Sequence, residues 1–499
     1  MSVKLPHREV LLISTFLQEV IDESDGCGAK FSVTIVCSAF EGKSLIHRHR
    51  SVHSVLEEEL KTIHAFKQKT LTPAEWEKKE MIKRYLIIDS IMIDFNISSL
   101  NYIILFPLIA PRIRLEKFKM IQFKVSAPGK VILFGEHAVV YGKTAVAASV
   151  DLRTVLNFAE LPETEQIVKI CFPKVNLFIN VPLQQIQNFF FINKNVEHVE
   201  NYEAFYSKVK EFVSIISYAN LQQRLSLEAF FYLFIYITQK EEIKVKPFQV
   251  HLNTELGIGS GLGSSSSFAV CLAACFLHWS RLQKDIYKIL DFSILDTISK
   301  YALNCERIMH GNPSGIDNSV CTYGSIIEFK KDDYVKPISN VHALKILLVD
   351  TRVNRSTKAL VERLLELKHR YPVIIDLIMS SIDNISKEVI KIIEKLKTVS
   401  TDDEYFLEGY RQLMILINMN QGLLATCQVS HPSLDRICAE AQNYALAAKL
   451  TGAGGGGHAY ILLLPDTQPE TIASISRKLI ADGFTVKLTT LGGPGVQIN

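Results

Sequence analysis

The chain of 499 residues has little net charge, since 55 lysines and arginines against 52 aspartates and glutamates leave only +3 at pH 7. A balance that even gives no overall attraction to polyanions, so nucleic acid is not expected as a partner. Cysteine is sparse. The 9 present are scattered, with no Cys-x-x-Cys pair and no zinc-like cluster, which excludes a disulfide scaffold and makes the cytosol the expected compartment. Long charge-free apolar runs are also missing. Leu86 to Pro111 comes nearest, but Asp89 and Asp94 lie inside it and Asn96, Asn101 and two prolines interrupt the rest, so a membrane span is not expected. Val10 to Leu17 follows Lys4, His7 and Arg8 in the manner of a signal peptide. Glu9 breaks its basic region, however, and no small-residue cleavage site follows.

The sequence does have apolar content for well-filled interiors, 48% of residues, and length enough for about three domains. Residues 30 to 37 alternate like a strand, and Val52, Val55, Leu56 and Leu60 give 51 to 64 a helical spacing. These lie in a first module, residues 1–81. Residues 82–121 are isoleucine-rich without caps or period and read as a linker, or as a join between two reading frames. From Ile121 onward strand and helix signals alternate, which indicates α/β or α+β domains. There is no internal repeat. Ile294, Ile298, Tyr301, Ala302, Cys305, Ile308 and Met309 form one helical stripe that stops at Gly311, and KILLV at Lys345 reads as a buried strand opening a second core.

Four segments carry groups suited to phosphoryl transfer. The run Gly259-Ser-Gly261-Leu262-Gly263-Ser264-Ser265-Ser266-Ser267 precedes an apolar helix from Phe268 to Trp279. Glycines there allow positive φ and close approach of a polyphosphate, and the helix start offers unpaired N–H groups to an anion. The same run also reads as a glycine turn with a serine N-cap before a core helix. Ser126-Ala-Pro-Gly-Lys130 reads as a turn delivering a lysine at a strand start. That lysine could stabilise charge passing to a γ-phosphate, or simply be solvated at a strand edge. Glu306 flanks the apolar stripe, suited to Mg²⁺ with Ser264 or Ser265, or to plain exposure. His310-Gly-Asn-Pro-Ser-Gly-Ile-Asp317-Asn318 reads as a tight turn whose aspartate could accept a hydroxyl proton or close an Asx-turn.

SAPGKVILFGEHAVVYG at 126–142, GSGLGSSSS at 259–267, ERIMHGNPSGIDN at 306–318 and KLTGAGGGG at 449–457 together resemble the mevalonate kinase family of the GHMP kinase superfamily. The resemblance covers residues 122–499. It implies an α+β fold, with an N-terminal ATP-binding α/β domain over 122–344 and a ferredoxin-like C-terminal domain over 345–499, and a homodimer. It further implies ATP-dependent, Mg²⁺-assisted phosphorylation of mevalonate to 5-phosphomevalonate, in isoprenoid and sterol precursor synthesis. The positions that match are Asp317 as base, Lys130 as its activating partner, and Ser265 and Glu306 on Mg²⁺. Glu136, His137 and Thr357 match substrate positions. Thr254, Gly259, Gly261, Leu262, Gly263, Ser264, Ser265 and Ser266 match the nucleotide site. The GEHAVVYG form points away from the galactose-type relatives of the superfamily, and another GHMP kinase acting on a different small alcohol is the alternative. Two departures stand out: Ser266 and Ser267 replace the usual pair of alanines, and His458 follows the late glycine run where a cysteine or small residue is common.

Residues 22 to 81 resemble the BolA family, though residues 1 to 21 do not look like that family's opening helix. The resemblance implies a small α/β module that shares a two-iron, two-sulfur cluster with a monothiol glutaredoxin. Cys27 and His64 match the ligand positions. An iron–sulfur adaptor is accordingly the alternative function for the chain.

Overall fold

The computed structural model describes residues 15–22, 30–37, 40–57, 60, 63, 65–72, 75, 120–192, 201–286, 290–310, 315–331, 333–354, 356–401 and 403–499. The chain divides into two compact units, Met1–Phe118 and Lys119–Asn499. In the first, β1 (Thr15–Asp22) pairs antiparallel with β2 (Lys30–Cys37), and β2 runs parallel to β3 (Ala65–Leu71). A parallel pair needs a crossover, which α1 (Leu45–Val55) supplies. Val33, Ile35, Cys37, Phe40 and Val52 close a small core. The expected strand at 30–37 is present. The helix, however, starts six residues ahead of the expected 51 and ends at Val55, and β3 was not foreseen. Cys27, His64 and the apolar stretch 86–111 lie outside the described residues.

The second unit is built on β4 (Gln122–Phe134) and β5 (Thr144–Glu160), paired antiparallel along their whole length. A 3₁₀ turn, Ala138–Tyr141, joins them. β6 (Ile167–Phe172), β7 (Leu177–Pro182), α2 (Leu183–Gln187), α3 (Tyr202–Ser214) and α4 (Leu221–Lys240) follow. Next come β8 (Phe248–Thr254), α5 (Ser264–Gln283), α6 (Phe292–His310) and α7 (Ile316–Tyr323). α5 is apolar nearly all round because it is sandwiched. β4 and β5 cover one side and α4 and α6 the other, around a core that includes Phe230, Phe276 and Trp279.

β9 (Ile326–Lys330) and β10 (Tyr334–Ile338) extend the sheet beside β5. The C-terminal half then runs β11 (Leu344–Asp350), α8 (Thr357–Arg370), α9 (Pro372–Leu396), α10 (Glu404–Thr426) and α11 (Pro432–Asn443). It ends with β12 (Ala447–Leu450), β13 (His458–Leu462), α12 (Pro469–Ala481), β14 (Thr485–Leu491) and β15 (Gln497–Ile498). Its four antiparallel strands lie in the order β12-β13-β11-β14, which is the expected ferredoxin-like arrangement. Leu491 of β14 registers with Val150 of β5, so one sheet crosses both halves and carries the site on its β4–β5 portion.

Candidate active site

Lys130 sits inside β4, not at the end of a turn. The strand runs unbroken through Ser126–Lys130, and Pro128-Gly129 is accommodated by a register shift against β5, where a proline costs no ladder hydrogen bond. The glycine loop lies directly across this bulge. The Lys130 N–H donates to Leu262 O at 2.8 Å, and a Cβ on Gly129 would stand 2.8 Å from that same oxygen. Leu256 and Leu262 are buried and pin the loop from below. Gly259, Gly261 and Gly263 all have left-handed φ, +71°, +78° and +75°, as the spacing predicted. Gly263 ends the loop and α5 begins at Ser264.

From that helix start two serines reach inward. Ser267 Oγ donates to Ala127 O at 2.9 Å, anchoring α5 to β4, and Ser266 Oγ donates to Glu306 Oε1 on α6. Glu306 is only 2% exposed, so it is no surface glutamate. Burial pushes its carboxyl up to about 7, the neighbouring Asp317 charge adds to this, and the Ser266 hydroxyl and Lys130 oppose it. Asp317 lies in the first turn of α7, after Gly315 at φ +80°. The helix dipole there favours a carboxylate. Asp317 Oδ1 is 2.8 Å from Lys130 Nζ, and its side chain keeps 31% exposure against 8% for the lysine. Lys130, Asp317, Glu306 and Ser266 thus form one electrostatic neighbourhood, reached from solvent at Asp317. Residues 311–314 of the preceding turn lie outside the described residues.

The remaining expected positions fall elsewhere. Glu136 is enclosed: Lys449 Nζ meets Oε1, and Asn420 Nδ2 donates to Oε2 at 3.3 Å. It can therefore act on a ligand only through the turn it holds. His137 follows at φ +60°, its ring Nε2 2.9 Å from Ala453 O. Thr357 is exposed at the start of α8, whose Leu360 lies against Gly455 of the late glycine loop. Thr254 ends β8 with its hydroxyl 2.8 Å from that of Thr154 and accepting the Leu256 N–H, an arrangement that braces the glycine loop. His458 places Nδ1 3.2 Å from Ser260 O. Ser264 and Ser265 are half-buried in the first turn of α5. Lys449 and Asn420 were not foreseen as site residues. A lysine inside the apolar run ALAAKL was the available signal for the first, and Asn420 had none.

A family model for the GHMP kinases N terminal domain matches residues 229–325, and one for the GHMP kinases C terminal matches 406–481. Mevalonate kinase of Mus musculus is 35% identical over 381 residues, 75% of this chain and 94% of its own length. The Arabidopsis thaliana enzyme is 34% identical over 385 residues, covering 76% and 99%. The chain belongs to the mevalonate kinase family. Among solved structures, the Methanococcus jannaschii mevalonate kinase superposes with a TM-score of 0.53 at 23% identity, covering 75% of this chain and 98% of that one. An L. major mevalonate kinase in complex with R-mevalonate gives 0.53 at 20%, covering 75% and 98%. Both support the GHMP fold for the second unit. The first unit matches a BolA-like protein model over residues 9–75. That match starts earlier than the expected 22 and takes in β1, Thr15–Asp22.

Proposed function

We propose that the second unit transfers the γ-phosphate of ATP to the primary alcohol of mevalonate, giving 5-phosphomevalonate. The observation that carries this reading is the Lys130–Asp317 pair, 2.8 Å apart, beneath a left-handed glycine loop that opens α5. Asp317 accepts the proton of the substrate hydroxyl while Lys130, close to the same oxygen, stabilises the alkoxide character that develops as the O–P bond forms. The backbone N–H groups at the start of α5 hold the phosphates, with no Cβ on Gly259, Gly261 or Gly263 to obstruct them.

The donor set suits Mg²⁺. Glu306 and a serine hydroxyl are hard oxygen ligands, two carboxylates share the pocket with a single lysine, and among the described residues no cluster of three His, Cys, Asp or Glu offers a fuller cage. An ion with one or two protein oxygens completed by phosphate and water fits that description. Glu306 with Ser265 or Ser266 would hold it, and when bound it neutralises charge on the phosphate oxygens. Lys449, through Glu136, keeps the Gly135–His137 turn against the late glycine loop, where the substrate is bound.

The purified chain should consume ATP with mevalonate and stay near background with galactose or other small alcohols. Replacing Asp317 by Asn should lower kcat by about 10³-fold with ATP affinity, read by calorimetry, held within about threefold. Near-parental turnover by that variant would remove Asp317 as base, and turnover of a different alcohol would move the substrate assignment.

A further inference from the structure

Arg153 lies on β5 outside the group just described, yet its guanidinium makes four hydrogen bonds that bridge the two elements carrying the reacting side chains. On one side Nε donates to Ser126 Oγ at 3.1 Å and Nη2 to Ser126 O at 3.0 Å. Ser126 is on β4, four residues before Lys130 and just ahead of the bulge. On the other side Nη1 donates to Pro494 O at 3.0 Å and Nη2 to Gly495 O at 2.6 Å. Those carbonyls belong to the loop between β14 and β15.

That loop is fitted against the end of α7. A Cβ on Gly495 would stand 2.2 Å from Thr322 O and 2.6 Å from Gly324 N, and one on Gly324 would stand 2.0 Å from Gly495 N. The Val496 N–H donates to Thr322 O at 3.1 Å, and the Ser325 N–H to Gly493 O at 2.7 Å. Backbone therefore touches backbone with no side chain between, so displacement of the loop carries α7 with it. Ser149 Oγ adds a bond to Gly493 O at 2.8 Å. Beyond the loop, β15 pairs with β4 at Val125 and Ser126, which closes a ring: β4, Arg153, the 492–496 loop, α7 and back to β4 through the Lys130–Asp317 pair.

We propose that Arg153 is a positioning residue for phosphoryl transfer, a clamp that fixes the separation of Lys130 and Asp317 by tying the β4 strand to the loop on which α7 rests. The planar guanidinium is suited to this because its donors are spread over three nitrogens in a rigid fork that spans acceptors on both sides, a reach the single nitrogen of an ammonium lacks. Misplacement of reacting groups by about 1 Å costs on the order of a hundredfold in rate, so a clamp remote from the substrate can act on kcat. The inference rests on the Lys130–Asp317 reading above, and its test includes a measurement that needs no substrate.

In the full chain, Arg153→Met should lower kcat at least about tenfold while both KM values stay within about threefold, since the clamp sets geometry and touches neither substrate. In parallel, the coupling between Lys130→Met and Asp317→Asn, from a double-mutant cycle on unfolding, should fall by at least about half when Arg153 is replaced. A folded Arg153→Met protein with parental kcat, or with the pair coupling unchanged, overturns the proposal. Should that variant not fold, Arg153→Lys keeps the charge and reaches one side of the clamp. It should fold with a lowered kcat and weakened coupling, and parental values for both overturn the proposal equally. If the chain proves to act on another alcohol, the coupling measurement still decides the clamp.

Discussion

Lys449 and Glu136 face each other with neither side chain exposed, between the rings of Phe134 and Tyr460, whose centroids lie 5.8 and 5.5 Å from Nζ. Burial pushes the Glu136 carboxyl up and the Lys449 ammonium down, and each opposes the other's shift by attraction. A pair like this contributes little net stability over an apolar pair, but removing one member strands the other. Lys449→Met should therefore cost about 3–5 kcal/mol in urea unfolding, and Lys449→Met with Glu136→Gln should recover more than half of it. The deficit of the single variant should shrink as pH falls, because a stranded, buried carboxyl with a raised pKa is relieved by taking up a proton. Equal losses in the single and double variants would mean that the turn at Gly135 needs the charges themselves. At this scale the sequence showed the residue types and hid the pairing: Glu136 and Lys449 are separated by 313 positions, and nothing local marks one as the partner of the other.

The start of α5 shows which part of the site could be read locally. Gly263 has φ +75°, and a Cβ there would lie 2.8 Å from Lys130 Cγ, so only glycine permits both the helix start and the lysine stem beneath it. Gly263→Ala should cost about 1–3 kcal/mol, from the left-handed backbone and from displacement of Lys130, and should lower kcat with it. Gly259→Ala, whose Cβ would meet nothing within 4 Å, should carry only the backbone cost, at the lower end of that range; thermal unfolding of both compares them. Glycine spacing and the apolar run after it were legible because each is a local demand of the backbone or the core. The bulge in β4 was not. Pro128-Gly129 has the local signature of a turn, and the pairing of β4 with β5 on one side, with the Lys130 N–H bonded to Leu262 O on the other, holds it extended. In the first unit, β3 was missed because its exposed alternation of Lys67 and Lys69 carries little apolar signal. The helix before it was placed too late because Val52 and Val55, which set the spacing, are near its end.

Across the whole of the second unit, the order of domains was legible from motif order, whereas their continuity was not: one sheet runs from β7 to β12 through β5 and β14, a long-range pairing no window of sequence reports. The same unit should carry one component of pH-dependent stability that traces to a single residue. His278, on the β4-facing side of α5, meets Phe123 edge-on at 4.8 Å, and its buried Nδ1 has no hydrogen-bond partner among the described residues. Burial, with the Arg281 charge adding to it, depresses its pKa from 6.5 to about 4. The unfolded chain binds a proton at this ring below about pH 6.5 and the folded chain does so only below about 4, so between those values the unfolded state holds more protons. Stability must then be lost as pH falls through that window and be fully present above it. The loss is smaller than the full shift would give, since the ring is only half-buried and solvent screens it. Glu306, raised to about 7, opposes this slope over the same range, so the measurement is a difference: from pH 7 to 4.5 the parent should lose unfolding free energy relative to His278→Phe, which keeps a ring against Phe123 without a titrating nitrogen. The absence of that difference would remove His278 as a source of acid sensitivity, and the buried Glu306 could not stand in for it, because a carboxyl raised to about 7 gains stability as pH falls through the same window.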